Sequence, residues 1–255
     1  MHNYRLVVAY DGSRYKGWQR LGAGEDTIQA KIEAVLAKRL GRPVEVIGAG
    51  RTDAGVHALA QVANLKVPES LDCRELQAYL NRYLPDDIAV TDVAKAAEDF
   101  HARFHAVGKT YLYRIWNADP PNPFLRKYSL HVQAPLDVAR MRRAAAAFIG
   151  EHDFTAYCNP RSKSATPVRT VASAEIRTEG ALLEIRVRGD GFLHNMVRRM
   201  VGTLLEVGLG RIAPEDVPGI LASKDRAWTG PVAEAHGLAL ERVEFEDRHG
   251  NRGRP

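Results

Sequence analysis

The first hundred residues switch repeatedly between a two-residue and a three-to-four-residue hydrophobic period, and that alternation restricts the fold more than anything else in the chain. Residues 5–10 are dense in β-branched and aromatic side chains and predict a strand. Ile28, Ile32, Val35, Leu36 and Leu40 then recur at helical spacing behind Glu25, Asp26 and Thr27, with Asp26 or Thr27 as N-cap. Gly41 and Pro43 end that helix. Val44 and Val46 alternate as a strand, and so do Val62, Asn64, Leu65 and Val67. A second helix is predicted over 71–83, introduced by Pro68 and Ser70 and closed by Pro85, with a strand over 88–93 behind it. The order is β, α, β, β, α, β.

That order matches the split βαβ unit of ferredoxin-like domains. The second half repeats the alternation without repeating the sequence. Residues 106–116 predict a strand with Tyr111, Tyr113 and Ile115 on one face. Pro120, Pro121 and Pro123 mark a loop over 117–126, and a helix from Leu136 to about Ile149 ends at Gly150. Residues 158–169 read as a polar loop carrying Arg161, Lys163 and Arg169, and 171–176 with 182–187 as a hairpin around Glu179 and Gly180. Phe192, Leu193, Met196, Val197, Met200, Val201, Leu204 and Leu205 make a wide stripe, predicting a helix over 192–207. His194, Asn195, Arg198 and Arg199 take its other face. A short helix over 214–222 and a strand over 238–245 follow. The halves expected are 1–105 and 106–246, with 247–255 a flexible basic tail.

Between the second and third strands lies Ile47-Gly-Ala-Gly-Arg-Thr-Asp-Ala-Gly-Val-His57. Glycines at a strand exit let the chain turn sharply and let a ligand approach the backbone. They bracket Asp53, with Arg51 two residues before it. A carboxylate beside a guanidinium stays ionised at neutral pH and can serve as nucleophile or base. The same residues would also make a tight turn capped by Asp53 and braced by Arg51. Asp53 and His57 could be half of a metal site, yet no second cluster has ligand spacing. Neither G-x-x-x-x-G-K-[ST] nor G-x-G-x-x-G occurs. Spacing alone leaves these readings open.

The 255 residues, 45% hydrophobic, suffice for a sizeable core, and a net charge of +5 suits a polyanionic partner. The two cysteines, Cys73 and Cys158, stand far apart and outside any C-x-x-C, which fits a reducing compartment. No leader precedes the first strand and no window approaches eighteen apolar residues, so a cytoplasmic protein without membrane spans is expected. Tyr15, Lys16, Trp18, Gln19 and Arg20 interleave aromatics with cations, as nucleotide-stacking surfaces do and as packed strands with snorkelling lysines also do.

Gly50-Arg-Thr-Asp-Ala-Gly-Val-His-Ala58 resembles the signature of the tRNA pseudouridine synthase A family. Five further segments agree, in the family's order: Tyr10-Asp-Gly-Ser-Arg-Tyr-Lys-Gly-Trp-Gln19, Asp99-Phe-His-Ala-Arg-Phe104, Lys109-Thr-Tyr-Leu-Tyr-Arg-Ile115, His152-Asp-Phe-Thr155 and Gly191-Phe-Leu-His-Asn-Met-Val-Arg198. The resemblance implies an α+β pseudouridine synthase fold, two ferredoxin-like halves forming a central, mostly antiparallel sheet flanked by helices. It implies isomerisation of uridine to pseudouridine at positions 38–40 of the tRNA anticodon stem-loop, by a homodimer needing neither cofactor nor metal. Asp53 matches the catalytic aspartate and Arg51 the arginine that assists it. Tyr111 matches the tyrosine that stacks on the target base, with Tyr113 left to the core, and Arg198 an arginine near the aspartate. His194 stands where many members have tyrosine and Arg199 where asparagine is usual. Gly230-Pro-Val-Ala-Glu-Ala-His-Gly-Leu238 follows the family's Ala-Pro-Ala-x-Gly-Leu only loosely.

Overall fold

The computed structural model describes residues 1–20, 22, 26–159 and 166–246. Glu25 of the first helix's expected entry, Arg161 and Lys163 of the polar loop, and the 247–255 tail lie outside the described residues. The described residues divide into two compact units, one of 1–108 with 239–246, the other of 109–238.

The first unit runs β1 (His2–Tyr10), α1 (Ile28–Leu40), β2 (Val46–Gly48), β3 (His57–Val67), α2 (Cys73–Tyr83) and β4 (Ile88–Ala96). β1 lies antiparallel between β3 and β4, and β2 pairs antiparallel with Ala63–Leu65 of β3. The spatial order β4-β1-β3-β2 is that of the split βαβ unit. The free stretch of β3 near His57 is taken by the C-terminal strand, whose Ala239 and Leu240 pair in parallel with His57 and Ala58. Thr27 caps α1, its hydroxyl accepting Ala30 N–H, and Gly41 closes the helix at φ 69°. α2 starts at Cys73, two residues later than the pattern suggested, because the Asp72 carboxylate accepts the N–H groups of Arg74 and Glu75. Ile28, Ile32 and Leu36 of α1 and Leu76 and Leu80 of α2 are buried with Tyr4, Leu6 and Val8 of β1. Each such side chain stabilises the fold by about 1.5–3 kcal/mol.

Asn64 sits inside that core. Its side-chain amide donates to Asn3 Oδ1 (3.1 Å), and its own carbonyl oxygen accepts Ala102 N–H (2.9 Å). Asn3 in turn donates to the carbonyls of Ala97 and Phe100, both at 2.8 Å. The two asparagines thus fasten the 97–102 segment to the sheet through paired buried amides.

The second unit begins with the greater part of β5 (Ala106–Trp116), followed by β6 (Leu130–His131), α3 (Val138–Ala146), β7 (Gly150–Asp153), β8 (Val168–Glu179), β9 (Leu182–Gly189), α4 (Met196–Gly208) and α5 (Val217–Ser223); β10 (Leu238–Phe245) is the closing strand already met. Its sheet runs β5-β9-β8-β7, all antiparallel, with β6 parallel to β5. The two sheets are mostly antiparallel and carry helices, the α+β class expected. α3 stops at Ala146 rather than Ile149, because Ala147, Phe148 and Ile149 donate three residues back in tightening turns. α4 starts at Met196 rather than Phe192. Asn195 has φ 64°, a left-handed conformation no helix accommodates, so His194 and Asn195 precede the helix instead of lining its polar face.

On β9, Glu184 accepts from Arg114 Nε (3.0 Å) and Arg186 Nη1 (2.8 Å). Burial pushes this carboxyl up, and the two hydrogen-bonded guanidiniums outweigh burial to hold it below the ordinary 4.5. A depressed native pKa stabilises the fold at pH above the unfolded value and loses that contribution as pH falls through the native one. The stability gap between wild type and Glu184→Gln is therefore expected above about pH 5 and should close in acid. Urea unfolding across pH 3–7 measures it, and a gap that persists undiminished at the acid end would contradict the assignment.

Candidate active site

The loop from Ala49 to Val56 joins β2 to β3, and its backbone is pinned from several sides. Ala49 N–H donates to Val62 O (2.7 Å), Trp18 N–H to Thr52 O (3.1 Å) and Gly55 N–H to Tyr15 O (3.3 Å). Gln61 Nε2 donates to Gly50 O at 2.8 Å. Val56 N–H closes a turn onto Asp53 O (3.1 Å), and Gly55 at φ 78° takes the left-handed position in that turn. Asp53 is thereby half-buried on a stiff loop, while Thr52 and Val56 on either side face inward. Its placement owes nothing to capping a helix, since β3 follows.

Beneath the loop, Tyr10 and Thr52 share a hydroxyl hydrogen bond of 2.8 Å. Burial pushes the Tyr10 phenol well above its ordinary range, so it stays neutral and acts as a strut. Thr52→Val removes one of the two side-chain partners of the buried Tyr10 hydroxyl, Gln61 being the other, and is expected to cost about 1 kcal/mol. An unchanged urea midpoint would show that the strut is dispensable.

Arg51 is exposed, and its Nε donates to Gln19 Oε1 (3.2 Å), which ties the two most family-like segments together. Tyr15 donates to Asp87 at 2.5 Å; burial and that carboxylate push its phenol up to about 12. Trp18 is wholly buried, so of the interleaved aromatics Trp18 and Tyr15 belong to the core. His57 is buried too, its Nδ1 accepting Gly12 N–H (3.1 Å) and lying 3.2 Å from Asp11 Oδ1. Among the described residues no group of three or more His, Cys, Asp or Glu side chains is arranged to hold a metal ion.

In the second unit, Tyr111 lies on β5 with 8% of its surface exposed, and the Phe192 ring stands edge-on to it at 5.3 Å and 89°. Tyr113 is fully buried and donates to Glu234 O (2.9 Å), the core role assigned from the pattern. Arg198, on the first turn of α4, donates through Nε to Ala233 O (2.7 Å) and through Nη1 to Asn195 Oδ1 (3.3 Å). Its backbone carbonyl accepts Ala233 N–H at 3.1 Å. The left-handed Asn195 thus serves to aim Arg198, a partnership that no spacing rule foretells. Arg199 reaches the same segment, donating to Thr229 Oγ1 (2.8 Å) and Gly230 O (3.4 Å). Gly202 meets it at van der Waals limits. Residues 229–233, which lead into and open the loosely matching 230–238 stretch, are therefore held tightly to α4.

These elements recur in known proteins. The family model described as tRNA pseudouridine synthase matches residues 6–105 and 144–246. The tRNA pseudouridine synthase A of Bacillus sp. (strain KSM-64) is 57% identical over 245 residues, covering 96% of this chain and all of the relative. The tRNA pseudouridine synthase A 2 of Bacillus anthracis is 53% identical and the tRNA pseudouridine synthase A of Acetivibrio thermocellus 42%, both with that same coverage. With the motif loop, both units and essentially the whole length accounted for, this chain belongs to the tRNA pseudouridine synthase A family.

Proposed function

We propose that this chain isomerises uridine to pseudouridine at positions 38–40 of the tRNA anticodon stem-loop, with Asp53 as its essential carboxylate. The observation that carries the reading is a half-buried aspartate, in the family's signature, on a loop whose backbone is bonded at Ala49, Gly50, Thr52 and Gly55. Preorganisation of this kind places a reacting group without further cost on substrate binding.

The reaction breaks the N1–C1′ bond, turns the uracil and forms a C5–C1′ bond; the C5 proton leaves and N1 regains one. Nothing is oxidised or reduced, so no cofactor is required. Glycoside hydrolysis ordinarily needs a second carboxyl to protonate a poor leaving group. Uracil leaves as a delocalised anion and is recaptured, so one carboxylate suffices, whether it adds to C6, attacks C1′ or takes the C2′ proton. Tyr111 presents its ring to the target base and its hydroxyl to the C5 proton. Arg51 and Arg198 bind the substrate as cations. A stem base must be flipped out at a cost of a few kcal/mol, which a large interface on a homodimer would offset. The enzyme would work in the cytoplasm, where tRNA is processed.

Tritium release from tRNA labelled at uridine C5, with chelator present, tests the reading. Release at an undiminished rate is expected. Binding of tRNA without release would leave an RNA-binding protein on this fold, and release lost to chelator would make Asp53 and His57 metal ligands.

A further inference from the structure

The role of Arg199 is left open by the sequence, and its surroundings are unusual for a partly buried cation. Its Nη1 is occupied by Thr229 and Gly230, while its Nε is buried with no acceptor. The Thr229 hydroxyl that receives Nη1 itself donates to Arg226 O (2.8 Å), so one threonine links the Arg199 guanidinium to the backbone of Arg226. Arg226 is exposed on a single turn, Arg226–Trp228, and Trp228 beside it has 66% of its surface exposed. Among the described residues neither guanidinium has a carboxylate partner. Asp225, next to Arg226, accepts Ala227 N–H as the cap of that turn (2.9 Å), and Asp153 is engaged by Lys224 at 2.8 Å. Burial and the Arg226 charge both depress the Arg199 pKa.

With Asp225 capping its own turn and Asp153 held by Lys224, an incoming anion at this corner would relieve the like-charge repulsion between Arg226 and Arg199. We infer that Arg199, Arg226 and Thr229 form a phosphate-binding corner that grips the RNA backbone outside the reacting nucleotide. The exposed guanidinium fork of Arg226 matches phosphate geometry, and the exposed Trp228 indole beside it suits an unpaired base. The inference rests on the tRNA reading above. Small phosphates share the chemistry, but the exposed position of Arg226 and Trp228 favours a polymer passing over the corner.

Arg226 is the residue to change, because Arg199 also braces the Gly230 segment. Binding of tRNA to wild type, Arg226→Gln and Arg226→Lys would be measured from 50 to 300 mM salt, with thermal unfolding of each variant as a fold check. Removing one phosphate contact should lower the slope of log affinity against log salt by about 0.7–0.9. Arg226→Lys should restore it, and the loss should fall on KM rather than kcat. A slope for Arg226→Gln equal to that of wild type would overturn the inference. So would an unchanged slope accompanied by stabilisation of wild type, but not of the variant, by inorganic phosphate, which would make this a small-anion site. Failure of the functional reading shows elsewhere: wild type would release no tritium, whatever the slopes.

Discussion

Asp53→Asn is expected to lower tritium release from C5-labelled tRNA by on the order of 10⁴-fold, the scale seen when an essential catalytic carboxylate is removed. The substitution is well suited to the question. The bonds that shape the loop run through the backbone of Ala49, Gly50, Thr52, Gly55 and Val56, and asparagine tolerates the same turn. Affinity for tRNA should therefore remain within a few-fold of wild type, because phosphate contacts supply most of it. Single-turnover rates separate the two effects. A variant that releases tritium at even a tenth of the wild-type rate would remove Asp53 from the chemistry.

The second large effect is structural. A Cβ at Gly202 would lie 1.7 Å from Pro231 O and 2.9 Å from Pro231 C, atoms of a backbone that cannot rotate away. Overpacking ordinarily costs about 1–3 kcal/mol, and here the clash is helix against backbone, so Gly202→Ala should cost about 3 kcal/mol or more. Prying α4 from that segment would also pull Arg198 off Ala233 O and Arg199 off Gly230 O. Gly208→Ala, later in the same helix, is the control. Its Cβ meets the Met141 thioether at 2.8 Å and the Leu136 side chain at 3.0 Å, both of which can shift. Urea unfolding should separate the two variants clearly; equal midpoints would refute the packing argument.

The element order was legible because strands and helices write different periods into the sequence, and β10 was matched end to end over Leu238–Phe245. What failed did so for local reasons. The apolar stripe of α4 extends back through Phe192 and Leu193, but Phe192 turns instead to the edge of Tyr111, and Asn195 stops the helix from reaching it. β6 spans two residues and β7 four, Gly150–Asp153, too short and too polar to alternate. The parallel pairing of β10 with β3 joins residues far apart in sequence, which no window can register.

The site divides in the same way. Asp53 stood out because glycine, arginine and aspartate cluster within one break between strands. Its supports did not, since Trp18 to Thr52, Tyr10 to Thr52 and Arg51 to Gln19 each close across more than thirty residues. Arg51 illustrates the gap. Proximity in sequence suggested a brace for Asp53, whereas its recorded hydrogen bond reaches Gln19 of another motif.

The most direct test is to incubate purified protein with an unmodified tRNA transcript bearing uridine at positions 38, 39 and 40, without metal or cofactor, and map pseudouridine at nucleotide resolution. The account predicts new pseudouridine at one or more of these positions and at none elsewhere, abolished by Asp53→Asn. Pseudouridine confined to another arm of the tRNA, or none at all from a folded, tRNA-binding protein, would contradict it.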